Sequence, residues 1–199
     1  MPLDVPVTPP AERERLWRSL ATTHPDTPVA GVTFRNVLPI LRDPAGLASV
    51  VAALTDATFS AGSTPSPDLF AGIEARGFPL AAAAAAATGT GFLAIRKAGK
   101  TPGAVVSAAF ASEYGEGVLE VAVDACVGGE EGNSPRRVMV VDDVLATGGT
   151  AVAAVAAVRA AGGVVLGVTV LAELVGLGGR ERVRSETGVE VMSLLTFDA

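Results

Sequence analysis

The segment VMVVDDVLATGGT, Val138–Thr150, decides the fold of this chain. It begins with an apolar run typical of a buried strand, reaches Asp142 and Asp143, and passes through a loop with two glycines into a helical pattern. In open parallel α/β sheets, ligands bind where the carboxyl ends of strands meet the following helices. The segment therefore predicts a ligand site at one strand–helix junction.

The loop of this junction suits a phosphate group. Gly148 and Gly149 allow the backbone to approach an anion closely. The N–H groups of residues 146–150 and the helix dipole can then hold the anion, and the hydroxyls of Thr147 and Thr150 add donors.

The two carboxylates call for a different partner. Asp142 and Asp143 would repel a phosphate if both faced it. They are better suited to sugar hydroxyls or to a magnesium ion. A ligand with a phosphate at one end and a vicinal diol nearby satisfies both halves of the junction.

Other phosphate-binding patterns fit the sequence less well. No GxxxxGK[ST] pattern occurs, which excludes a P-loop nucleotidase. The triplet GTG at 89–91 lacks the third glycine of a dinucleotide fingerprint and precedes a strand pattern instead of a helix.

Outward from this segment, strand and helix patterns alternate. An alanine-rich helix is predicted over Gly77–Ala87, helices are predicted over 10–21 and from Asp43-Pro44 onward, and 24–43 reads as irregular. Further buried-strand patterns are LFAGIE, GFLAIRK, VVLGVTVLAEL and VEVMSLL, and an antiparallel hairpin is predicted from Val105–Ala111 and Gly117–Val123. The alternation predicts a single α/β domain over 1–199 with a mostly parallel sheet covered on both faces.

Composition narrows the function classes. The chain has 199 residues, a net charge of −6 and 49% hydrophobic residues, so we expect a folded protein without nucleic acid or an anionic membrane as its partner. One cysteine, Cys126, and one histidine, His24, exclude an intramolecular disulfide and a metal site rich in these residues. We expect a cytoplasmic protein, because no secretory signal is recognisable and the alanine tract is too interrupted to span a membrane.

Five blocks of the sequence resemble the type I phosphoribosyltransferase family. VVDDVLATGGTA resembles the family's phosphoribosyl-pyrophosphate signature. Four further blocks resemble its adenine-specific members, and they are VTFRNVLPILRDP, GIEARGF, AIRKAGKTPG and SEYGEGVLEV. The likeness runs from about Gly31 to Leu195, and the combination of blocks is more specific than the signature alone.

The resemblance implies both a reaction and an architecture. The reaction is transfer of ribose 5-phosphate from phosphoribosyl pyrophosphate to N9 of adenine, giving AMP and pyrophosphate, with Mg²⁺ carried by the substrate. The fold is a central, mostly parallel sheet flanked by helices, with a flexible antiparallel hairpin over the active site. A small hood is expected mainly from about 24–43 and the C-terminal segment, over a core of about 44–172, and the protein is expected to be a homodimer.

The resemblance also assigns roles to individual residues. The 5′-phosphate is expected to be bound by Ala146, Thr147, Gly148, Gly149 and Thr150. Pyrophosphate is expected to bind Arg76, Arg96, Lys97 and Lys100. Family members often have a strained peptide at the position of Glu74-Ala75. In some members one of the four cations reaches the site of the neighbouring subunit. By the same resemblance, Phe34 stacks on the purine, with Arg35 beside it. Asp142 and Asp143 lie under the ribose hydroxyls. Glu113 is the candidate catalytic acid, on a lid that also includes Tyr114.

Two alternative functions remain open from the sequence. The same reaction could use another purine or a pyrimidine, because base choice depends on contacts in the hood. A regulator could bind phosphoribosyl pyrophosphate without turning it over, although the acidic charge and the lack of an added DNA-binding domain argue against it.

Overall fold

The computed structural model describes residues 9–27, 33–59, 66–112, 115–128 and 134–198. The helices are α1 Pro10–Leu20, α2 Leu38–Arg42, α3 Pro44–Phe59, α4 Gly77–Thr88, α5 Gly149–Ala160 and α6 Gly179–Thr187. The strands are β1 Thr22–His24, β2 Phe34–Asn36, β3 Leu69–Ile73, β4 Gly91–Lys97, β5 Val105–Ser112, β6 Gly115–Ala122, β7 Arg137–Leu145, β8 Val164–Val175 and β9 Val191–Asp198.

A mostly parallel sheet organises the described residues and confirms the predicted fold class. Its strand order is β5-β6-β4-β3-β7-β8-β9. Strands β4, β3, β7, β8 and β9 run parallel to one another. Strand β6 pairs antiparallel with β4, and β5 pairs antiparallel with β6, so this hairpin forms one edge of the sheet. Strands β1 and β2 form a separate antiparallel pair.

Alternation along the central strands builds a core on each face of the sheet. In β7, Val138 and Val140 pack with α5 and α6, whereas Met139 and Val141 pack with α1, α3 and α4. Successive side chains of a strand point to opposite faces of the sheet, so an unbroken apolar run predicts a strand that is buried on both faces. Among the described helices, none combines the length and the apolar character that a membrane crossing needs.

Helix α4 confirms the prediction of a closely packed alanine helix. Leu80, Ala81, Ala84 and Ala85 are buried against the sheet. Because alanine side chains are short, the helix axis can approach the strands closely. The approach brings the first residues of α4 next to the carboxyl end of β7.

The region predicted as irregular, 24–43, contains ordered elements, and this prediction was wrong in part. Strand β2 and helix α2 both lie within it. Each is very short, so neither has enough residues to show a periodic pattern. The predicted start of α3 is confirmed, since the Asp43 carboxylate accepts a hydrogen bond from the Gly46 N–H at 2.7 Å.

A charged pair ties the beginnings of the two neighbouring strands β3 and β7. The Asp68 carboxylate accepts bonds from the Arg137 side chain, Nε at 3.1 Å and Nη2 at 2.6 Å, and from its backbone N–H at 2.7 Å. The Arg137 hydrogen bonds are the main reason why the pKa of Asp68 lies below its usual 3.8. The pair lies at the end of the sheet opposite to the predicted ligand site.

We expect Asp68→Asn to destabilise the fold by about 1–2 kcal/mol at pH 7, because charge-assisted hydrogen bonds are the stronger kind and this pair is partly buried. The pKa of Asp68 is lowered in the folded chain, so its contribution is present above pH 4 and is lost as the pH falls further. Urea unfolding at pH 7 and at pH 3 measures both effects. Glu14→Gln, in an exposed helical pair with Arg18, is the control and should cost less than about 0.5 kcal/mol. An equal loss in the two variants would contradict the assignment.

Candidate active site

A cavity of about 280 Å³ opens at the carboxyl edge of the parallel strands. Most of the residues singled out in the sequence line it, and they are Phe34, Arg35, Arg76, Lys97, Asp142, Asp143, Ala146, Thr147, Gly148, Gly149 and Thr150. The fold therefore brings the β7–α5 junction, the loop after β3 and strand β2 to one place.

The Asp142–Asp143 pair lies at the floor of this cavity. Burial, and then repulsion from Asp143, raise the pKa of Asp142 well above its usual range. Burial also raises the pKa of Asp143, although the nearby Arg76 guanidinium lowers it in part. Two carboxylates side by side in such a place are under-compensated, so the site favours a ligand that brings donors or positive charge.

Arg76 contacts both this pair and the aromatic ring predicted to stack on the purine. Its Nη1 lies 3.1 Å from Asp143 Oδ2. That oxygen is buried and has no hydrogen bond of good geometry among the described residues, so the contact is an ion pair only. The same guanidinium lies 5.6 Å from the centre of the Phe34 ring. A cation at the start of a helix is unfavourable to the helix dipole, and Asp143 supplies the compensating anion.

The two glycines of the loop have a second role that the sequence did not indicate. A Cβ on Gly149 would lie 2.0 Å from the Ala111 carbonyl oxygen, and one on Gly148 would lie 2.6 Å from the Gly179 carbonyl oxygen. Gly148 also has a positive φ of 82°. Backbone from β5 and from the start of α6 thus occupies the space where side chains would stand, while the loop itself still lines the cavity.

The four predicted pyrophosphate cations are placed differently. Arg76 and Lys97 line the cavity, whereas Arg96 and Lys100 are not among its described lining residues. Arg96 Nη1 donates to the Lys100 carbonyl oxygen at 2.7 Å, and the Lys100 ammonium pairs with the Glu74 carboxylate.

Glu74 is a lining residue that sequence reasoning missed. Its carboxylate binds the Lys100 ammonium and accepts a bond from the Lys97 N–H at 2.8 Å, and the Lys100 hydrogen bond is the main cause that holds its pKa below the usual value. The Glu74–Ala75 peptide bond is cis. The sequence signal is an acidic residue directly after the apolar strand β3, at the edge where ligands bind.

Glu120 binds the backbone of residues 99–101, in the loop after β4, and sequence reasoning missed this residue too. Its side chain accepts three backbone bonds, from Gly99 at 3.0 Å, Lys100 at 2.8 Å and Thr101 at 2.6 Å. These bonds, led by that from Gly99, lower the pKa of Glu120 to about 2 although burial opposes them. The signal in the sequence is a carboxylate inside the apolar strand GVLEVAV, which must find partners when it is buried.

The two base-binding candidates have different surroundings. Phe34 is only partly buried and faces the cavity, so it is not an ordinary core aromatic. Arg35 also lines the cavity, but its guanidinium donates to Thr23 Oγ1 at 2.8 Å and to the Asp198 carbonyl oxygen at 3.2 Å. It thereby ties the β1–β2 pair to the C-terminal strand.

Two of the predicted site residues belong to the segment between β5 and β6. Glu113 and Tyr114 lie at the turn of the predicted hairpin, outside the described residues. Their strands, β5 and β6, confirm the hairpin itself. The roles of catalytic acid and lid stay predictions.

We expect Glu120→Gln to loosen the loop 99–101, because the amide NH₂ would face backbone N–H donors where a carboxylate oxygen accepted them. Amide hydrogen exchange of residues 99–101 should accelerate in this variant and should be unchanged in Asp124→Asn, an exposed turn carboxyl. In the wild type, protection should persist at pH 3, since a carboxyl with a pKa of about 2 is still mostly ionised there. Loss of that protection by pH 4 would contradict the role given to Glu120.

Comparisons with known proteins agree with this geometry. Residues 40–191 match the phosphoribosyl transferase domain family. An adenine phosphoribosyltransferase from Frankia casuarinae is 47% identical over 173 residues, which are 87% of this chain and 85% of that protein. One from Clavibacter michiganensis is 45% identical over 193 residues, 97% of this chain and 100% of that protein.

A solved structure shares the fold over nearly its whole length. It is the adenine phosphoribosyltransferase of Saccharomyces cerevisiae, complexed with D-2,5-dideoxy-2,5-imino-altritol 1,6-bisphosphate and adenine. It is 31% identical in sequence, with a TM-score of 0.83, and the match covers 93% of this chain and 99% of that one. This chain therefore belongs to the phosphoribosyltransferase family, among the adenine phosphoribosyltransferases.

Proposed function

We propose that this chain transfers ribose 5-phosphate from phosphoribosyl pyrophosphate to N9 of adenine, giving AMP and pyrophosphate in purine salvage. One observation carries the proposal: a single cavity brings together the Asp142–Asp143 pair, the loop 146–150 and Arg76. A diol, a phosphate and a pyrophosphate are the three parts of this substrate, and each meets a group of matching chemistry. The names of the relatives favour adenine over the other bases.

The 5′-phosphate and the ribose are assigned to the β7–α5 junction. Backbone N–H groups of 146–150 at the start of α5 supply donors and the positive end of the helix dipole. Asp142 and Asp143 accept from the ribose hydroxyls. Their raised pKa values support this role, because new donors would stabilise carboxylates that the fold leaves under-compensated.

The pyrophosphate is assigned to the loop after β3 and to the end of β4 with the loop that follows it. Arg76 and Lys97 line the cavity and are the nearer pair. Arg96 and Lys100 are the outer pair, and Lys100 would have to exchange its Glu74 partner for a phosphate oxygen. The flexible stem of lysine suits such an exchange better than the rigid arginine fork does.

The base is assigned to the face of the Phe34 ring. The β1–β2 pair carries this residue, and Arg35 fastens the pair to the C-terminal strand. These contacts support a small hood formed by about 24–43 with the C-terminal segment, over the core 44–172. Arg35 positions the hood, because its guanidinium is already bound to Thr23 and Asp198.

Magnesium is assigned to the substrate and not to a protein cage. Among the described residues no group of three or more His, Cys, Asp or Glu could hold a metal ion. Asp142 and Asp143 line the cavity and are carboxylates, so they fit an ion that the substrate carries, and Asp143 Oδ2 would then be shared between that ion and Arg76. Mg²⁺ bound with the pyrophosphate supplies charge neutralisation of the leaving group.

The reaction requires the protein mainly to orient the two substrates and to stabilise the charges that develop as the bond breaks. Cleavage of the bond between C1′ and the pyrophosphate oxygen leaves positive charge on the ribose and negative charge on the leaving group, while N9 of adenine forms the new bond. All four residues line the cavity, and in this proposal Asp142 and Asp143 serve the ribose while Arg76 and Lys97 serve the pyrophosphate. We propose Glu113 for the proton on the base and the hairpin with Tyr114 as the lid that excludes water.

The assembly and location follow from the family resemblance. We propose a cytoplasmic homodimer, in which Arg96 is the cation that reaches the partner's site. Arg96 is only partly buried and is not among the described residues that line the cavity of its own chain, which supports a contact of this side chain beyond that cavity.

An assay with phosphoribosyl pyrophosphate, Mg²⁺ and one base at a time tests the function. We expect AMP with adenine, far less product with hypoxanthine, guanine, xanthine or uracil, and no turnover after chelation with EDTA. Chromatography of the nucleotides measures the products. No product with any base would refute a transferase, and product with guanine but not adenine would refute the base assignment.

We expect Asp142→Asn to lower kcat/KM by about tenfold or more, since loss of a ribose or metal contact would cost about 1.4 kcal/mol. The same change should raise the melting temperature, because an acid whose pKa is raised by folding makes the fold less stable as the pH rises through that pKa. Asparagine can keep the bond that Asp142 Oδ1 accepts from the Asp143 N–H. Glu14→Gln, in the exposed pair with Arg18, is the control; it should leave kcat/KM unchanged and should not raise the melting temperature. Unchanged kinetics would remove Asp142 from the site.

A further inference from the structure

Two backbone segments touch beside the loop assigned to the 5′-phosphate. A Cβ on Gly179 would lie 2.2 Å from the Ala146 carbonyl oxygen and 3.1 Å from the Gly148 nitrogen. A Cβ on Gly148 would in turn lie 2.6 Å from the Gly179 carbonyl oxygen. No side chain fits between the segments, so the position of the loop depends directly on the position of Gly179.

The residue after Gly179 is anchored to the sheet. The Arg180 guanidinium bonds both oxygens of Glu173, with Nε at 3.0 Å from Oε1, and it also donates to Ser193 Oγ at 2.7 Å and to the Val191 carbonyl oxygen. The Ser193 hydroxyl donates to Glu173 Oε2 at 2.7 Å and closes the network. Glu173 is buried in β8, and the other two acceptors belong to β9.

This network is charged and fully partnered. Burial raises the pKa of Glu173, but the hydrogen bonds from Arg180 and Ser193 outweigh it and bring the pKa below the usual value. The Glu173 hydrogen bond likewise raises the pKa of Arg180. An ion pair with a bidentate fork has a defined geometry, so it sets where the first turn of α6 begins.

We infer that Glu173, Arg180 and Ser193 are positioning residues for the 5′-phosphate loop. They hold Gly179 against Ala146 and Gly148, and the loop therefore presents its N–H groups at a set distance from the Asp142–Asp143 pair. The inference rests on the proposed function, in which residues 146–150 bind the 5′-phosphate. A displacement of about 1 Å in such a group can cost a large factor in rate, although the residues responsible never touch the substrate.

Gly179→Ala is the sharpest test of this contact. Gly179 begins α6 and is not among the described glycines with positive φ, so alanine there should be neutral or stabilising if the helix alone mattered. Because of the contact, the new methyl group must instead push Ala146 away. Gly188→Ala is the matched control, since Gly188 ends the same helix with a φ of 69° and a Cβ on it would have nothing within 4 Å among the described residues.

The experiment measures the calorimetric affinities of the full chain for three ligands: phosphoribosyl pyrophosphate, ribose 5-phosphate and pyrophosphate, each with Mg²⁺. In Gly179→Ala we expect the first two to weaken by the same factor, about tenfold, and pyrophosphate to stay within about twofold. The KM for phosphoribosyl pyrophosphate should rise while the KM for adenine does not. Gly188→Ala should lower thermal stability and leave all three affinities unchanged.

Ser193→Ala provides a second, milder variant. It removes only the hydroxyl that bridges Glu173 and Arg180, and it leaves the backbone contact intact. We expect the same ligand pattern with a smaller loss, about threefold, and this variant decides the matter if Gly179→Ala does not fold.

Three results would overturn the inference. They are unchanged affinities in both test variants, an equal loss for all three ligands, and the same loss in Gly188→Ala. A wild type that binds ribose 5-phosphate but forms no AMP would refute the proposed function alone, and the ligand pattern would still decide the role of the network.

Discussion

Carboxylates that are wholly or partly buried at the carboxyl edge of the sheet are the constraint on which this site depends. A carboxylate that leaves water at this edge must find donors or a cation, or its pKa rises. Glu74, Glu120 and Glu173 bind donors in a loop or at a helix start, and their pKa values are lowered. Asp143 has the Arg76 guanidinium as its partner, but its pKa is still raised. The loop after β3 and the end of β4, which both contribute lining residues to the cavity, are among the segments that these carboxylates bind.

This arrangement explains how an acidic chain can form a site for a polyanion. The net charge is −6, yet the cations assigned to pyrophosphate lie in two short segments, the loop after β3 and the end of β4 with the loop that follows it. The only two lysines of the chain, Lys97 and Lys100, both belong to the second segment. Glu120 binds the backbone of that loop and Glu74 binds its lysine. Local placement of charge, and not the net charge, therefore sets the potential that a bound pyrophosphate would meet.

The parts of the fold that were predictable are those whose signals are local. The β7–α5 junction and the alanine helix α4 have their strand length, turn residues and apolar pattern within one short segment, and both were predicted. Helix α6 was not predicted, because GRERVRSET buries only Val183 as an apolar side chain and has no apolar stripe. The partners of Glu120 are about 20 residues away along the chain, so no local pattern could show that they meet.

The direction of each pKa shift separates the carboxylates of this edge by role. Glu74, Glu120 and Glu173 have lowered pKa values, because backbone N–H groups, a lysine or an arginine satisfy them. Asp142 has a raised pKa, because burial and the neighbouring Asp143 act on it and no comparable set of donors faces it among the described residues. A satisfied carboxylate has little to gain from a ligand, whereas an under-compensated one gains from every donor that the ligand brings. The sequence shows five acidic residues at strand ends and interiors, but only their partners in the fold show which of them hold the loops and which are left for the substrate.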